Sequence, residues 1–585
     1  MVEQVINTRS RKWLWLFFSF AVCGVYYGII YKRYNLVLHR DDAMMRAIAS
    51  GTYTGTPDGH LIFIKYCYGY LLSRLYLLNR AYNWYGICEY VICCSGMALI
   101  LWKLLRKNDR SIGRKCWGAF IFLLSYTILV FPILVGVLNF THYAALCGVT
   151  GIFFLVTAEN GSMEYWGDLV ISCIFTGLSL MIREDIFYIV LCLEGFFLLC
   201  KVYYKRKNLK NVLKQYLRWI LVMICMVSVI SGVEHMAYRS EAWKKYLDYN
   251  DNRSYMVDYY GWQGYDRYKT IYEKYGITEQ AAYLMDYYFL DMDDVDMNAL
   301  LQDLVDYEDS ISAEEGLINK FETALIQFYG YFTDKDYIEM NIFLIVAVVI
   351  LLCKTFYCSG KNEIELLTLG TALLYIVMWL YLIFRGRIVS RACVSMQLLF
   401  VAFLFGIYYS GDTDNVGSSS YIVRKIYLRK MAICIVLMYL AGHHILNIGW
   451  GTDKKDVTEV TKYAEKHSDN IYIVTDGGCA VETNDTIKVI DGASNVIYPG
   501  GWVTNSPLYE EKTKKYNVES ILNALISCEN VYYIDCETDL KDRIQGYYNG
   551  EGIEIMYNVE DSIQMEDGKT FYVYRFERDK RIEND

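Results

Sequence analysis

The sequence predicts an α-helical polytopic membrane protein of about eleven transmembrane helices, closed by a small extracytoplasmic α/β domain. Three observations carry that expectation. Apolar residues come in blocks of about 17 to 25, the length a helix needs to cross ~30 Å of hydrocarbon. Basic residues collect in a few loops that all fall on one side when the blocks are threaded in order. After residue 450 the composition changes to short β-like runs alternating with helical stretches.

The chain holds 585 residues, of which 54% are hydrophobic, and their grouping into blocks is what separates it from a large soluble protein. The net charge of −9 argues against a nucleic-acid partner, since such proteins present a basic face. The 56 tyrosines cluster near span ends and in polar loops, where an apolar ring with a wet tip is favoured. Cysteines such as Cys93, Cys94, Cys173, Cys225 and Cys434 lie in apolar blocks and read as small hydrophobes. No CxxC or Cys/His spacing suggests zinc, and three tail cysteines, Cys479, Cys528 and Cys536, do not make a disulfide framework.

Arg9, Arg11 and Lys12 place the N-terminus in the cytoplasm, and the first block, about 13–31, lacks an A-x-A-like cleavage site and reads as an uncleaved span. Further spans are expected at about 84–104, 116–137, 142–157, 167–182, 186–200, 216–233, 339–353, 365–384, 392–409 and 431–450. The basic stretches 103–115, 201–215 and 423–430 then all lie inside. "LIFIKYCYGYLLSRLYLL" (61–78) carries Lys65 and Arg74 in its middle and is expected to lie at the interface or to re-enter, because a further crossing would push 103–115 outside. Residues 1–450 thus form the transmembrane domain, with an outer loop at 32–83 and an outer insertion at 234–338. Residues 451–585 form the outer α/β domain, and its "TDGG" matches no nucleotide-binding loop and reads as a turn.

Candidate chemistry gathers on the outer side. Asp41 and Asp42 open a helix-like stretch, where an acid is a good cap. Adjacent side chains point apart, so one can cap while the other faces a cavity as a general base, kept ionised by the helix N-terminus. In "SGTYTGTPDGH", three glycines and Pro57 make a tight loop whose Asp58 and His60 either bind a metal or polar substrate or bond the loop's own backbone. Arg385, Arg387 and Arg391 concentrate positive charge where the topology leaves it sparse; they suit a phosphate, or snorkel to lipid headgroups. Arg183 in "MIRED" is a functional candidate near membrane depth or one arm of a salt-bridged hairpin, and Glu234, His235 and His142 are weaker candidates at the same edge. "DMDDVDMN" matches a calcium loop only at Asp294, Asp296 and Asn298 and reads as a solvated acidic loop.

A cytoplasmic N-terminus, an Asp-Asp pair in the first outer loop, an interfacial helix after it and about eleven spans resemble the GT-C glycosyltransferases. "DDAMMRAIASGTYTGTPDGHLIF", "RSYMVDYYGW", "RGRIVSR" and "YPGGWVTNSPLYEE" are similar to a bacterial group of large GT-C-like proteins. The resemblance implies an extracytoplasmic, membrane-bound transferase that moves a sugar from a polyprenyl-phosphate donor to a cell-envelope glycan acceptor, with both of these and the surrounding lipid as its partners. It carries the general-base role onto Asp42 or Asp41, with Asp42 preferred and Asp41 left to cap. The donor phosphate falls to Arg385, Arg387 and Arg391 by charge and side alone. Direct displacement would invert the anomeric carbon. Some members need a divalent metal, for which the outer loops offer no complete ligand set. Two other readings stay open: a non-catalytic component of polysaccharide assembly, and a transporter, which the lack of internal repeats disfavours.

Overall fold

In a computed structural model of the chain, the described residues are 2–410 and 459–578, apart from 35–39, 107–111, 137–138, 160–163, 207–208, 293–294, 315–316, 358–361, 387, 476–493, 519, 537–538 and 566–567. The expected span at 431–450, the basic stretch 423–430, Arg387, Asp294, Cys434, Cys479 and the expected strand "TIKVID" lie outside them.

Seven described helices are long and apolar enough to cross a membrane, against the eleven expected. They lie within α1 (Val2–Arg33), α4 (Trp84–Arg106), α8 (Tyr165–Ile182), α9 (Glu184–Tyr204), α10 (Leu209–Ala237), α17 (Asn362–Phe384) and α18 (Ser390–Ser410). Short α2 (Arg40–Ser50) and α3 (Tyr66–Leu78) stand between α1 and α4. At 13 residues, or about 20 Å, α3 is too short to span. The block at 116–137 breaks into α5 (Ile112–Leu129) and α6 (Phe131–Gly136). The block at 339–353 belongs to α16 (Ile338–Tyr357), which meets α15 (Leu317–Thr333) at a 92° bend, so the two count as one span at most.

The centre of the bundle is α7 (Phe140–Val156), apolar and buried on every side, as a helix without a polar face must be. It packs on α8, α18, α9 and α4. Glycines allow the close approach. A methyl on Gly148 would strike Val190 and Leu399, and one on Gly151 would strike Thr176.

Ion pairs tie like ends of the helices together. At one end Lys12 pairs with Glu164, and Lys103 (2.6 Å) and Arg106 both pair with the buried Asp168. The same end holds Lys201 with Glu363 at 2.5 Å, and Tyr409, whose hydroxyl donates to the Lys103 carbonyl at 3.2 Å. This gathers the ends of α1, α4, α8, α9, α17 and α18 that carry or adjoin the basic stretches. The opposite end carries α2, α3, the insertion and the tail.

The insertion is helical: α11 (Glu241–Ser254), a π-helical turn (Tyr255–Tyr260), α12 (Tyr265–Lys274), α13 (Glu279–Asp286) and α14 (Met297–Glu314). The tail forms a five-stranded sheet, β1 (Ile471–Val474), β2 (Val496–Ile497), β3 (Val531–Asp535), β4 (Ile555–Gln564) and β5 (Thr570–Arg578), in the order β2-β1-β3-β5-β4. Strands β2, β1 and β3 are parallel, while β4 and β5 add an antiparallel hairpin. Helices α19 (Glu459–Lys466), α20 (Pro507–Lys515), α21 (Ile521–Ser527) and α22 (Leu540–Gly550) complete it.

Candidate functional site

The first turn of α2 presents Asp41 and Asp42 side by side, and their surroundings differ sharply. Asp42 is wholly buried. Its Oδ1 accepts the Tyr85 hydroxyl at 2.7 Å and the Phe140 amide, the first of α7, at 3.0 Å. The acid that caps a helix is therefore Asp42, and the helix is α7, whose remaining early amides at Thr141 and His142 are satisfied by Asn139. Asp42 Oδ2 has no hydrogen-bond partner among the described residues, and Glu89, buried on α4 beside Tyr85 and Tyr143, lies within electrostatic reach of Asp42. Burial pushes the Asp42 carboxyl up to about 8; the Tyr85 hydrogen bond opposes the rise and the Asp41 charge adds to it. A helix N-terminus was expected to keep this acid ionised, but desolvation outweighs it.

Asp41 turns the other way. It is 21% exposed and its Oδ2 accepts from Arg391 Nη1 at 3.0 Å. Arg391 stands in the first turn of α18, with its guanidinium 5.7 Å from the centre of the Phe140 ring. Arg183 lies 5.3 Å from the same ring and 5.6 Å from that of Phe63. It occupies the extended joint between α8 and α9 and pairs with Asp185 at 2.6 Å. Phe63 and Phe140 stack at 5.6 Å. The result is an aromatic platform with two guanidinium groups against it and one half-buried carboxylate at its edge. The N-terminal ends of α2, α7, α9 and α18 meet there, and their positive dipole ends favour an anion.

The remaining expected residues are placed elsewhere. Arg385 is exposed just beyond α17 and donates to the Tyr259 hydroxyl of the π-helical turn. Asp58 Oδ1 accepts from both the amide and Nδ1 of His60 at 2.7 Å, and the His60 ring stacks on Trp243 at 4.5 Å. Burial alone would raise the Asp58 carboxyl, but the His60 hydrogen bonds prevail and hold it below its ordinary value. Of the weaker candidates, Glu234 accepts the Tyr66 amide at 2.6 Å and, with His235, Lys65 and Lys244, lines a cleft of about 350 Å³. Among the described residues no three His, Cys, Asp or Glu side chains gather as a metal site.

The tail covers this end of the bundle. Trp502 meets Phe63 edge to face at 5.0 Å, and its carbonyl accepts the Tyr246 hydroxyl from α11. The Leu290 amide donates to the Pro499 carbonyl at 3.0 Å, and the Tyr509 hydroxyl to Asp291 at 2.9 Å. The stretch "YPGGWVTNSPLYEE" is thus the part of the tail that touches the platform and the insertion.

Sequence reasoning passed over Glu89, Tyr85, Phe140, Phe63 and Trp502. Glu89 carried a readable signal, being the one acid inside the 84–104 block, where an ionisable residue is a functional candidate by default. The aromatic residues carried none, in a chain that is 16% aromatic.

No protein-family model and no curated protein matches the chain. Among solved structures, the fold is similar to that of ArnT from Cupriavidus metallidurans, at 10% identity and a TM-score of 0.38. The crystal structure bound to undecaprenyl phosphate is matched over 96% of this chain and 98% of that one, and the apo structure over 96% and 97%.

Proposed function

We propose that this protein is a GT-C-type membrane glycosyltransferase that takes its sugar from a polyprenyl-phosphate donor, with Asp41 as general base. The observation that carries the reading is the Asp41–Arg391 pair, 3.0 Å across, half-buried at the meeting point of four helix N-termini. A carboxylate in reach of solvent can take a proton from an incoming hydroxyl. Guanidinium groups suit a departing phosphate because their planar forks match its oxygens. Asp42, enclosed and already accepting two hydrogen bonds, is better fitted to hold the start of α7 in place.

The acceptor hydroxyl gives its proton to Asp41 as its oxygen attacks the anomeric carbon. The bond from that carbon to the phosphate oxygen breaks, and the polyprenyl phosphate leaves with the electron pair. Arg391 and Arg183 balance the charge that grows on it, with the Phe140 ring against both guanidinium groups and the Phe63 ring against Arg183. Attack opposite the leaving group inverts the carbon. The seven apolar helices make this a multi-pass membrane protein; the reading sets the platform, insertion and tail on the extracytoplasmic side and the basic end, with the N-terminus, in the cytoplasm. It takes 1–450 and 451–585 as the two domains, and a cell-envelope glycan as the acceptor.

The test is sugar transfer from undecaprenyl-phosphate-linked sugars by the purified protein in lipid nanodiscs. Asp41→Asn is expected to lower kcat by about 10²–10⁴, the usual contribution of a general base. Asp42→Asn keeps most of the rate. Arg391→Ala is expected to weaken undecaprenyl phosphate binding. Transfer by Asp41→Asn at the normal rate would overturn the base assignment.

A further inference from the structure

Helix α20 lies across the first outer loop, and the two lysines it turns toward that loop are unusual. Lys512 is only 3% exposed, and its Nζ stands 4.2 Å from the centre of the Tyr53 ring. No described carboxylate pairs with it. One turn on, Lys515 Nζ donates to the Thr54 carbonyl at 3.5 Å, again with no described acid as partner. The two ammonium groups are near enough to repel each other. Burial pushes the Lys512 amine down to about 7 and the Lys515 charge pushes it the same way, so an anion bound beside it would favour its charged form.

Gly55, Thr56 and Lys515 are exposed at this place, while Lys512 and Tyr53 are buried behind them. Gly55 has φ +109°, a backbone that side chains rarely adopt, and a methyl there would come within 3.3 Å of Lys515 Nζ. Glycine at this point keeps the space before the lysines clear. The acids of α20 do not neutralise the pair: Glu510 turns to Lys514, at 3.3 Å. The arrangement sits at the far end of α2 from Asp41, where the tail meets the loop, away from the two arginines on the aromatic platform.

We infer that Lys512 and Lys515, with the loop at 53–55, form a subsite for an anionic group, a phosphate or a carboxylate, borne by the acceptor glycan. This rests on the transferase reading for the word acceptor, and on the geometry alone for the anion. The donor's phosphate belongs beside Arg391 and Arg183. A second cationic place, one helix length from the base, suits a charge further along a soluble polymer. An acceptor held there would reach Asp41 along α2, and a neutral glycan would lose that hold.

The experiment is equilibrium binding to the full-length protein in nanodiscs, read by thermal shift and calorimetry. The probes are inorganic phosphate and glucuronate, both in an Arg391→Ala background so that the platform does not compete, with undecaprenyl phosphate on the native platform as counter-probe. Phosphate or glucuronate is expected to bind, with Kd raised at least tenfold by Lys512→Met and several-fold by Lys515→Gln. Undecaprenyl phosphate, measured on the native platform, should bind both lysine variants normally. Lys515 is exposed, so its variant folds even where Lys512→Met does not. Unchanged phosphate and glucuronate binding in Lys515→Gln would overturn the subsite. Loss of undecaprenyl phosphate binding in either variant would overturn its assignment to the acceptor. Neither readout requires transfer, so an active Asp41→Asn protein would refute the base without touching this subsite.

Discussion

Two neighbouring carboxylates come to opposite conditions because one faces protein and the other faces an opening. Asp42 sits between the Tyr85 hydroxyl and the Phe140 amide, with Glu89 close behind, and burial drives its carboxyl up to about 8. The sign of the consequence follows. The folded protein keeps a proton on Asp42 that the unfolded chain has already released. The stability this gives is full below the ordinary carboxylate range and is lost as pH rises through about 8. Melting temperature in detergent should therefore fall between pH 5 and pH 9 in the native protein. Asp42→Asn, locked in the neutral form, should show a shallower fall; equal slopes would rule out Asp42 as the source. The pairing of Asp41 with Arg391 was beyond sequence reasoning. Asp41 and Arg391 are 350 positions apart, and no periodicity joins them. What the sequence did carry was their shared side, since charge bias along the chain is a local property.

The helices show which local signals survive folding and which do not. Apolar blocks were legible because hydropathy is set by composition within one segment. The breaks were less so. In 116–137 the interruption at Val130 has its signal in Pro132, which lacks the amide a helix interior needs, but the 92° bend after α15 depends on what α16 packs against. Strand β4 escaped notice for another reason: it is an edge strand, mostly exposed, and its Asn, Glu and Asp read as loop. Helix α7 makes the sharpest demand on packing. At Gly151 an added methyl would collide with Thr176 Oγ1 and stand 3.1 Å from the Thr176 backbone nitrogen, so α8 itself would have to move. Gly151→Ala should cost about 1–3 kcal/mol, the usual range for overpacking a tight core. Thermal denaturation in detergent measures it, and an unchanged Tm would show that α7 and α8 have room to part.

At the scale of the whole molecule, the site is assembled from the first loop, both halves of the bundle, the insertion and the tail. Trp502 is the bolt of that assembly, packed on Phe63 and held through its carbonyl by Tyr246. Trp502→Ala should weaken the tail's seat by about 3 kcal/mol, as large aromatic truncations do. Trypsin should then cut at Lys512, which is buried in the native protein, and mass spectrometry of the fragments detects it. Resistance equal to the native protein would place the hold elsewhere, on Tyr509 and Asp291. The distance along the chain between the loop and its cover has a meaning of its own. Lys515 and Thr54 are separated by 461 positions. At about 5–20 residues per second, a ribosome needs roughly half a minute to a minute and a half to make the one after the other. For that interval Tyr53 lacks Lys512 and Phe63 lacks Trp502. The cover is made late in synthesis, and every nascent chain passes through a stage in which this aromatic face is open toward the place the tail will take.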